Sequence, residues 1–305
     1  MRPSHAAPLS LGIRSVLAFA GMAVLAPASA HAQAGEFDWR GDVPQGATIR
    51  LFTFAGTVTV RETSGREARI RGTSRNASSD DIEYVGSQTE GDVLVCALYG
   101  DAECTETGIR RERGSRGRQR AEADFTVEVP RGVSVRVASG SGEVTVTGVT
   151  GDVHAASGSG SVEVGSGAGQ VRASSGSGSV TVDGALGSVQ ASTGSGPVRI
   201  TTARGPVTAS TGSGSIDVSM ASLPGNDDMS FSTGSGTITL RLPADFSANI
   251  HGSTGSGDFE SDFPMTLQGR TSRHSLRATI GGGGRTVRMS TGSGDVRILR
   301  QDGRR

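Results

Sequence analysis

The 305-residue sequence contains no lysine, so every basic side chain is an arginine. That absence removes phosphate loops of the GxxxxGK[ST] type, and no GxGxxG turn appears either. Aromatic residues make up 4% and hydrophobic residues 34% of the chain, too little apolar bulk for an ordinary layered globule of this length. Charge balances at 30 basic against 30 acidic residues, which argues against a typical disordered chain. A fold that buries many small β-branched side chains, rather than a few large ones, satisfies both limits. Serine is plentiful, yet no GxSxG elbow is present to make one a nucleophile. His154, His251 and His274 stand far apart, with no nucleophile or acid at a spacing that names a mechanism, and read as solvent-facing residues. No catalytic residue, metal ligand or cofactor is expected.

The N-terminus is the one strongly apolar region. Arg2 and Arg14 flank the start of SVLAFAGMAVLAP, from Ser15 to Pro27, and small residues follow, ending Ala30-His31-Ala32. Basic, apolar and small-residue segments in this order predict a secretory signal peptide over residues 1–32, cleaved after Ala32 or, as second choice, after Ala30. The apolar run falls short of the roughly 20 residues that span a membrane, and no second run follows. The mature chain is therefore expected to be periplasmic or extracellular and not membrane-spanning. In such an oxidising compartment Cys96 and Cys104, the two cysteines present, predict a disulfide. A ring this small adds about 2 to 3 kcal/mol when unstrained. The competing metal or redox reading wants a CxxC spacing or a nearby histidine, and neither is found.

The dominant feature is a repeat. Gly-Ser-Gly recurs at residues 140, 158, 176, 194, 212, 234, 255 and 292, with four spacings of 18 residues followed by 22, 21 and 37. Behind it the apolar residues sit two apart: Val144 and Val146, Val162 and Val164, Val180 and Val182, Val198 and Ile200, Ile216 and Val218, Ile238 and Leu240. Period two marks a strand with one buried face. A shorter strand follows each, as in Val153 with Ala155, Val171 with Ala173 and Val189 with Ala191. A flexible Gly/Ser spacer has no reason to keep Val-x-Val at a fixed offset. One unit cannot bury its apolar face alone, but stacked units form a continuous column of Val and Ile. The chain therefore predicts an all-β fold, a parallel β-solenoid of two-strand coils. Eight coils at about 4.8 Å make a section roughly 40 Å long. Glycine suits the corners because it accepts positive φ and lets stacked backbones approach. The middle serines, Ser141 to Ser293, and the Ser or Thr before each corner, Ser139 to Thr291, are expected to stack into hydroxyl ladders.

Residues 33–122 read as an N-terminal cap with degenerate coils, and 123–305 as the repeat solenoid. Trp39, Phe52 and Phe54 are expected to close the end of the apolar column. Residues 76 to 122 break the pattern with GDVLVCALY, the cysteine pair, and a run holding Arg110, Arg111, Arg113, Arg116, Arg118 and Arg120. That run is a candidate site for lipopolysaccharide or another acidic polymer; the competing reading is a solvated loop. It lacks the aromatic interleaving of nucleic-acid sites, and no nucleic-acid partner is expected. Asp258, Glu260 and Asp262 alternate on one strand face and read as a solvated acidic face, because the GGxGxD calcium repeat is missing. The outward Glu143, Glu163, Arg199 and Asp217 make the faces too charged for an ice-binding surface. The glycine run Gly281 to Gly284 reads as a bulged corner, and charges on the final strand ILRQDGRR as protection of an edge.

Several stretches together, FDWRGDVPQGATIRL, VLVCALY with its second cysteine, FTVEVPRGVSVRV, the TGSGxVxV coils and LRATIGGGGRTVRMSTGSGDVRI, resemble the bacterial putative adhesin domain family of unknown function. The similarity spans nearly all of residues 36 to 300. It implies a β-solenoid of the cell envelope. Many relatives carry an Asn-Gly-Asp-like corner where this chain has Ser-Gly-Ser-Gly, a difference that leaves the fold intact. The leading expectation is a secreted, non-enzymatic scaffold or adhesin-like protein presenting an extended β face to an envelope polysaccharide or another envelope protein. One alternative is a carbohydrate-active β-helix enzyme, which wants clustered charged residues on one strand face that the coil alignment does not display. A periplasmic component of envelope-stress signalling is the other.

Overall fold

The computed structural model describes residues 31–33, 36–75, 82–111, 122–201, 204–269 and 272–301. Residues 1–30 of the expected signal peptide, and four of the six arginines of the Arg-rich run, lie outside these. The chain starts with β1 (His31–Gln33), β2 (Glu36–Asp42), β3 (Thr48–Ala55), β4 (Val58–Thr63), β5 (Glu67–Ser74), β6 (Glu83–Thr89) and β7 (Asp92–Leu98). A hairpin of β8 (Ala102–Thr105) and β9 (Gly108–Arg111) and then β10 (Ala123–Pro130) lead into the repeats. Each repeat supplies a strand pair: β11 (Ser134–Ser141) and β12 (Val144–Thr147), β13 (Val153–Ser157) and β14 (Val162–Val164), β15 (Val171–Ser175) and β16 (Val180–Asp183). The series continues with β17 (Val189–Thr193) and β18 (Val198–Thr201), β19 (Val207–Thr211) and β20 (Ile216–Ser219), β21 (Met229–Ser235) and β22 (Ile238–Leu242), β23 (Ala248–Ser256) and β24 (Phe259–Ser261). Two antiparallel additions, β25 (Met265–Leu267) and β26 (Ser275–Ile280), precede the last pair, β27 (Thr286–Ser293) and β28 (Val296–Arg300).

The fold is the expected all-β parallel solenoid. Strands after each Gly-Ser-Gly corner form a front sheet and strands before it a back sheet, each of 13 strands. Register is residue for residue: Val144 pairs with Val162, Val162 with Val180, Val180 with Val198 and Val198 with Ile216. The inward faces of both sheets meet in one cluster running the length of the stack. Through the regular coils the front sheet buries Val or Ile, and the back sheet buries one Val and one Ala per strand, the alanines being Ala155, Ala173, Ala191 and Ala209. Small side chains thus set a thin column, which is how a chain with few aromatics builds a continuous core.

The corners explain the glycines. At Gly194 an added Cβ would lie 2.3 Å from the carbonyl oxygen of Gly176, and at Gly196 it would lie 2.2 Å from that of Gly178. The requirement in the regular coils is close stacking, since positive φ in these corners is confined to the coils at either end, as at Gly142 and Gly294. The Ser or Thr before each corner is buried in all eight repeats: Ser139, Ser157, Ser175, Thr193, Thr211, Thr233, Thr254 and Thr291. Thr193 Oγ1 donates to the carbonyl of Gly178 in the coil below at 2.8 Å and accepts the N–H of Gly196 in its own coil at 3.2 Å. Ser157, Ser175 and Thr211 repeat the pattern. Each such bond contributes about 1 kcal/mol net and ties a coil to its neighbour. The middle serines, by contrast, are exposed, so only one of the two expected hydroxyl rows is built into the backbone.

Coil order departs from chain order at the C-terminal end. β27 and β28 insert between β21/β22 and β23/β24, so β24, not β28, is the edge of the front sheet. The hydroxyl ladder follows the swap: Thr291 donates to Gly236 and Thr254 to Gly294. The long spacing makes this possible. After β24 the chain turns back, β26 runs antiparallel to β23, and Gly281 to Gly284 reverse it into β27. Gly281, Gly283 and Gly284 hold left-handed φ values of 56°, 75° and 105°, which makes the run a chain reversal rather than a bulged corner. The 22-residue spacing is its partner, because the loop after β20 receives this crossover. Asn226 Oδ1 accepts the Arg285 N–H at 2.7 Å, and the buried Arg285 guanidinium donates to the carbonyls of Leu223 and Gly225.

At the other end β3 and β4 stack on β11 and β12 as a ninth coil. β10 lies between β4 and β5, so strands from either side of residue 122 interleave in one sheet. The segment that interrupts the sequence pattern still extends the stack, with β7 pairing parallel to β3. Phe37, Trp39 and Phe125 close the column, with Tyr84 stacked on Phe37 at 5.5 Å and edge-on to Phe125 at 5.9 Å. Burial pushes the Tyr84 hydroxyl up to about 12. Phe52 does not join this cap. It points to the outer side of the back sheet, where it packs with Cys96 and Leu98 in a small second core. Phe54 is half-buried against Tyr99 at 5.6 Å. The Cys96–Cys104 disulfide, with Cα atoms 5.9 Å apart, pins the β8–β9 hairpin over that core.

Two substitutions test this architecture. Gly196→Ala should cost about 1 to 3 kcal/mol through backbone overpacking, whereas Ser195→Ala beside it should change stability by less than about 0.5 kcal/mol; denaturant unfolding of both variants checks the contrast. Arg285→Ala should lose about 2 to 4 kcal/mol, with hydrogen-exchange protection falling first in residues 221–228 and in β27.

Candidate functional site

Packing dictates the inward residues, so the outward positions are where chemistry can vary. Along the front sheet from β12 to β24 the strands carry four acids, Glu163, Asp183, Asp217 and Glu260, and four arginines, Arg199, Arg241, Arg297 and Arg300. Opposite charges neighbour one another there: Arg241 pairs with Asp217, and Arg297 with Glu260 at 3.2 Å and Asp295 at 3.0 Å. The back-sheet strands over the same stretch, β11, β13, β15, β17, β19, β21, β27, β23 and β26, contain no Asp or Glu at all. They carry Arg136, His154, Arg172, Arg288, His251 and Arg277.

Register places these six in one row. Across adjacent strands it reads Arg136, His154, Arg172, Gln190, Thr208, Ser230, Arg288, His251, Arg277. The row runs about 38 Å along the stack at the ordinary strand spacing. It starts and ends with the same triplet, Arg–His–Arg. Among the described residues Arg136, Arg172 and Arg277 have no carboxylate partner; Arg172 donates to Gln190 at 3.1 Å. Arg288 reaches Asp228 of a loop at 3.3 Å, an exposed pair of little energetic worth. Beside this row runs a second, of hydroxyls: Ser174, Ser192, Ser210, Ser232, Ser290, Ser253 and Ser275. Ser253 and Ser290 bond at 3.0 Å. At the C-terminal end the rows border an open depression of about 450 Å³, lined among others by Ser232, His251, Ser253, Arg277 and Arg288.

His154 is half-buried between two arginines. Burial, and then the charges of Arg136 and Arg172, hold its imidazole below the usual histidine range. Either imidazole nitrogen is therefore available as acceptor or donor at neutral pH. His251 and His274 are exposed.

The sequence-derived candidates fall elsewhere. Arg110 is an exposed residue of β9 and Arg111 ends that strand, while Arg113, Arg116, Arg118 and Arg120 lie outside the described residues. Glu260 is paired with Arg297, and Asp262 accepts the Arg300 N–H at 3.0 Å. No group of three or more His, Cys, Asp or Glu among the described residues is placed to hold a metal. The back-face row was missed although its first half is written in the repeat, at the position between Val and Ala in VHAA, VRAS, VQAS and VTAS. Its second half is hidden by the swapped coil order.

A family model described as Toastrack DUF4097 matches residues 57–299. A "putative adhesin" of Bacteroides fragilis is 12% identical, with a TM-score of 0.41 over 88% of this chain and 98% of that one. A "putative adhesin" of Parabacteroides merdae is 8% identical, with a TM-score of 0.42 over 88% and 97%. A "putative cell adhesion protein" of Clostridium sporogenes is 10% identical, with a TM-score of 0.35 over 87% and 99%. No curated protein matches.

The depressed His154 value has a measurable sign. Its contribution to stability is complete above the ordinary value of 6.5 and is lost as pH falls through the lower folded value. An NMR titration should find the His154 midpoint below 6.5, and Arg136→Gln with Arg172→Gln should raise it part of the way, leaving the shift due to burial.

Proposed function

The chain belongs to the Toastrack DUF4097 family, and from that premise we propose that it is a secreted, non-enzymatic cell-envelope protein whose solenoid presents an adhesin-like binding surface. The observation that carries this reading is the alignment of outward side chains in register on the stacked sheets, with the front strands of the repeats balanced in charge and the back strands from β11 to β26 free of acids. Such a face offers a polar or basic group at each coil, in line, and so suits an extended partner. A catalytic site instead needs a convergent nucleophile, base or acid within hydrogen-bond reach. His154 and His251 lie six strands apart, about 29 Å, and each is flanked by arginines rather than by a carboxylate that would orient it.

Secretion rests on the basic, apolar and small-residue segments of residues 1–32, and the disulfide accords with an oxidising compartment. Cleavage after Ala30 leaves β1 whole, whereas cleavage after Ala32 removes most of it.

The expected outcome in producing cells is a mature chain beginning at His31 or Gln33, recovered outside the cytoplasm and co-sedimenting with isolated envelope. An intact leader on a cytoplasmic protein, or no retention by envelope, overturns the reading.

A further inference from the structure

We propose that the outer face of the back sheet is a binding surface for an acidic polysaccharide lying along the stack, across the strands; this rests on the reading of the chain as an envelope-binding protein. The Arg–His–Arg triplets at Arg136, His154 and Arg172 and at Arg288, His251 and Arg277 are two anion stations on one line. Gln190, Thr208 and Ser230 join them, and the row of serine hydroxyls runs alongside.

Charge complementarity selects an anionic partner. From β11 to β26 the back-sheet strands carry Arg and His without a single acid, while the front strands of the same repeats, β12 to β24, hold equal numbers of both signs. Arginine presents a planar fork that donates two parallel hydrogen bonds to a carboxylate or sulfate, so the row can read anionic groups by geometry as well as charge. The parallel hydroxyl row supplies donors and acceptors matched to sugar hydroxyls. Both rows sit on strands fixed by the core and the corner ladder, so little backbone ordering opposes binding.

Chemistry on the same face argues against the other polyanions. Over the nine strands from β11 to β26 no Phe, Tyr or Trp side chain points outward, so the broad aromatic platform on which single-stranded bases stack is missing. The arginines lie in a single file spread over about 38 Å rather than in the dense cluster that an anionic lipid surface attracts.

The test uses the mature chain and its retention by immobilised polygalacturonate and dextran sulfate, with neutral dextran, duplex DNA and anionic vesicles as parallel probes. The variant R136Q/R172Q/R277Q/R288Q is compared with R61Q/R199Q/R241Q/R297Q, which removes the same charge from the front sheet. We expect at least a tenfold loss of affinity for the back-sheet variant and less than threefold for the front-sheet variant, with binding falling steeply as salt rises. A second variant, S210E/S232E, leaves every arginine in place and should lose affinity to a similar degree; circular dichroism melting verifies that all variants fold. Equal losses from both faces, stronger binding to DNA or vesicles, or a loss confined to replacement of the six arginines between Arg110 and Arg120 each overturn the proposal. No binding to any acidic polysaccharide with envelope co-sedimentation intact overturns this inference alone, whereas loss of both overturns the functional reading beneath it.

Discussion

Two coils of this solenoid approach so closely at the Gly-Ser-Gly corner that a single methyl group would collide with the carbonyl beneath it. The buried hydroxyl before each corner donates to that same carbonyl, and in the four regular coils from Ser157 to Thr211 it also accepts the glycine N–H of its own coil. Contact and hydrogen bond together hold every coil at one height and one rotation relative to the next. Because the strands leave the corner in fixed directions, the Val and Ile that follow fall into columns. The outward residues are carried into straight rows by the same constraint.

Scarcity of large side chains is a consequence of this geometry. Between the sheets the only apolar side chains that the regular coils bury are Val, Ile and Ala, and no Phe, Tyr or Trp occurs between Phe125 and Phe231. Large groups are needed where the column ends and its apolar top would otherwise face water. Phe37, Trp39 and Phe125 meet this need at one end. Phe246 and Phe263 do so at the other, edge to face at 6.1 Å with the Arg300 guanidinium over the Phe263 ring. Towards that second end Phe231 and Met289 replace the alanines, and the column broadens before it is closed.

Outward positions answer to no packing rule, which makes the contrast between the two faces informative. The front face carries both signs and pairs several of its charges, Arg241 with Asp217 and Arg297 with Glu260 and Asp295. The back face leaves the guanidinium groups of Arg136, Arg172 and Arg277 without carboxylates along a line, and burial and the neighbouring arginines hold the His154 imidazole below the usual histidine range among them. Aligned basic groups with hydroxyls beside them are the geometry on which the proposal of an extended anionic ligand rests.

Period-two spacing behind a fixed corner was enough, in the sequence alone, to determine parallel two-strand coils, the inward Val and Ile, and the burial of Ser or Thr before each corner. A pleated strand alternates sides residue by residue, so local order records which side chains face the core. Phe52 was misread because the same alternation turns it outward, onto the disulfide core that a distant hairpin creates. Neighbour identity is a different kind of information. The insertion of the last coil ahead of the one before it, the anchoring of that crossover by Arg285, and the joining of Arg136, His154 and Arg172 to Arg288, His251 and Arg277 all depend on which strands pair across tens of residues. Backbone hydrogen bonding is indifferent to chain order, so only the tertiary structure decided them.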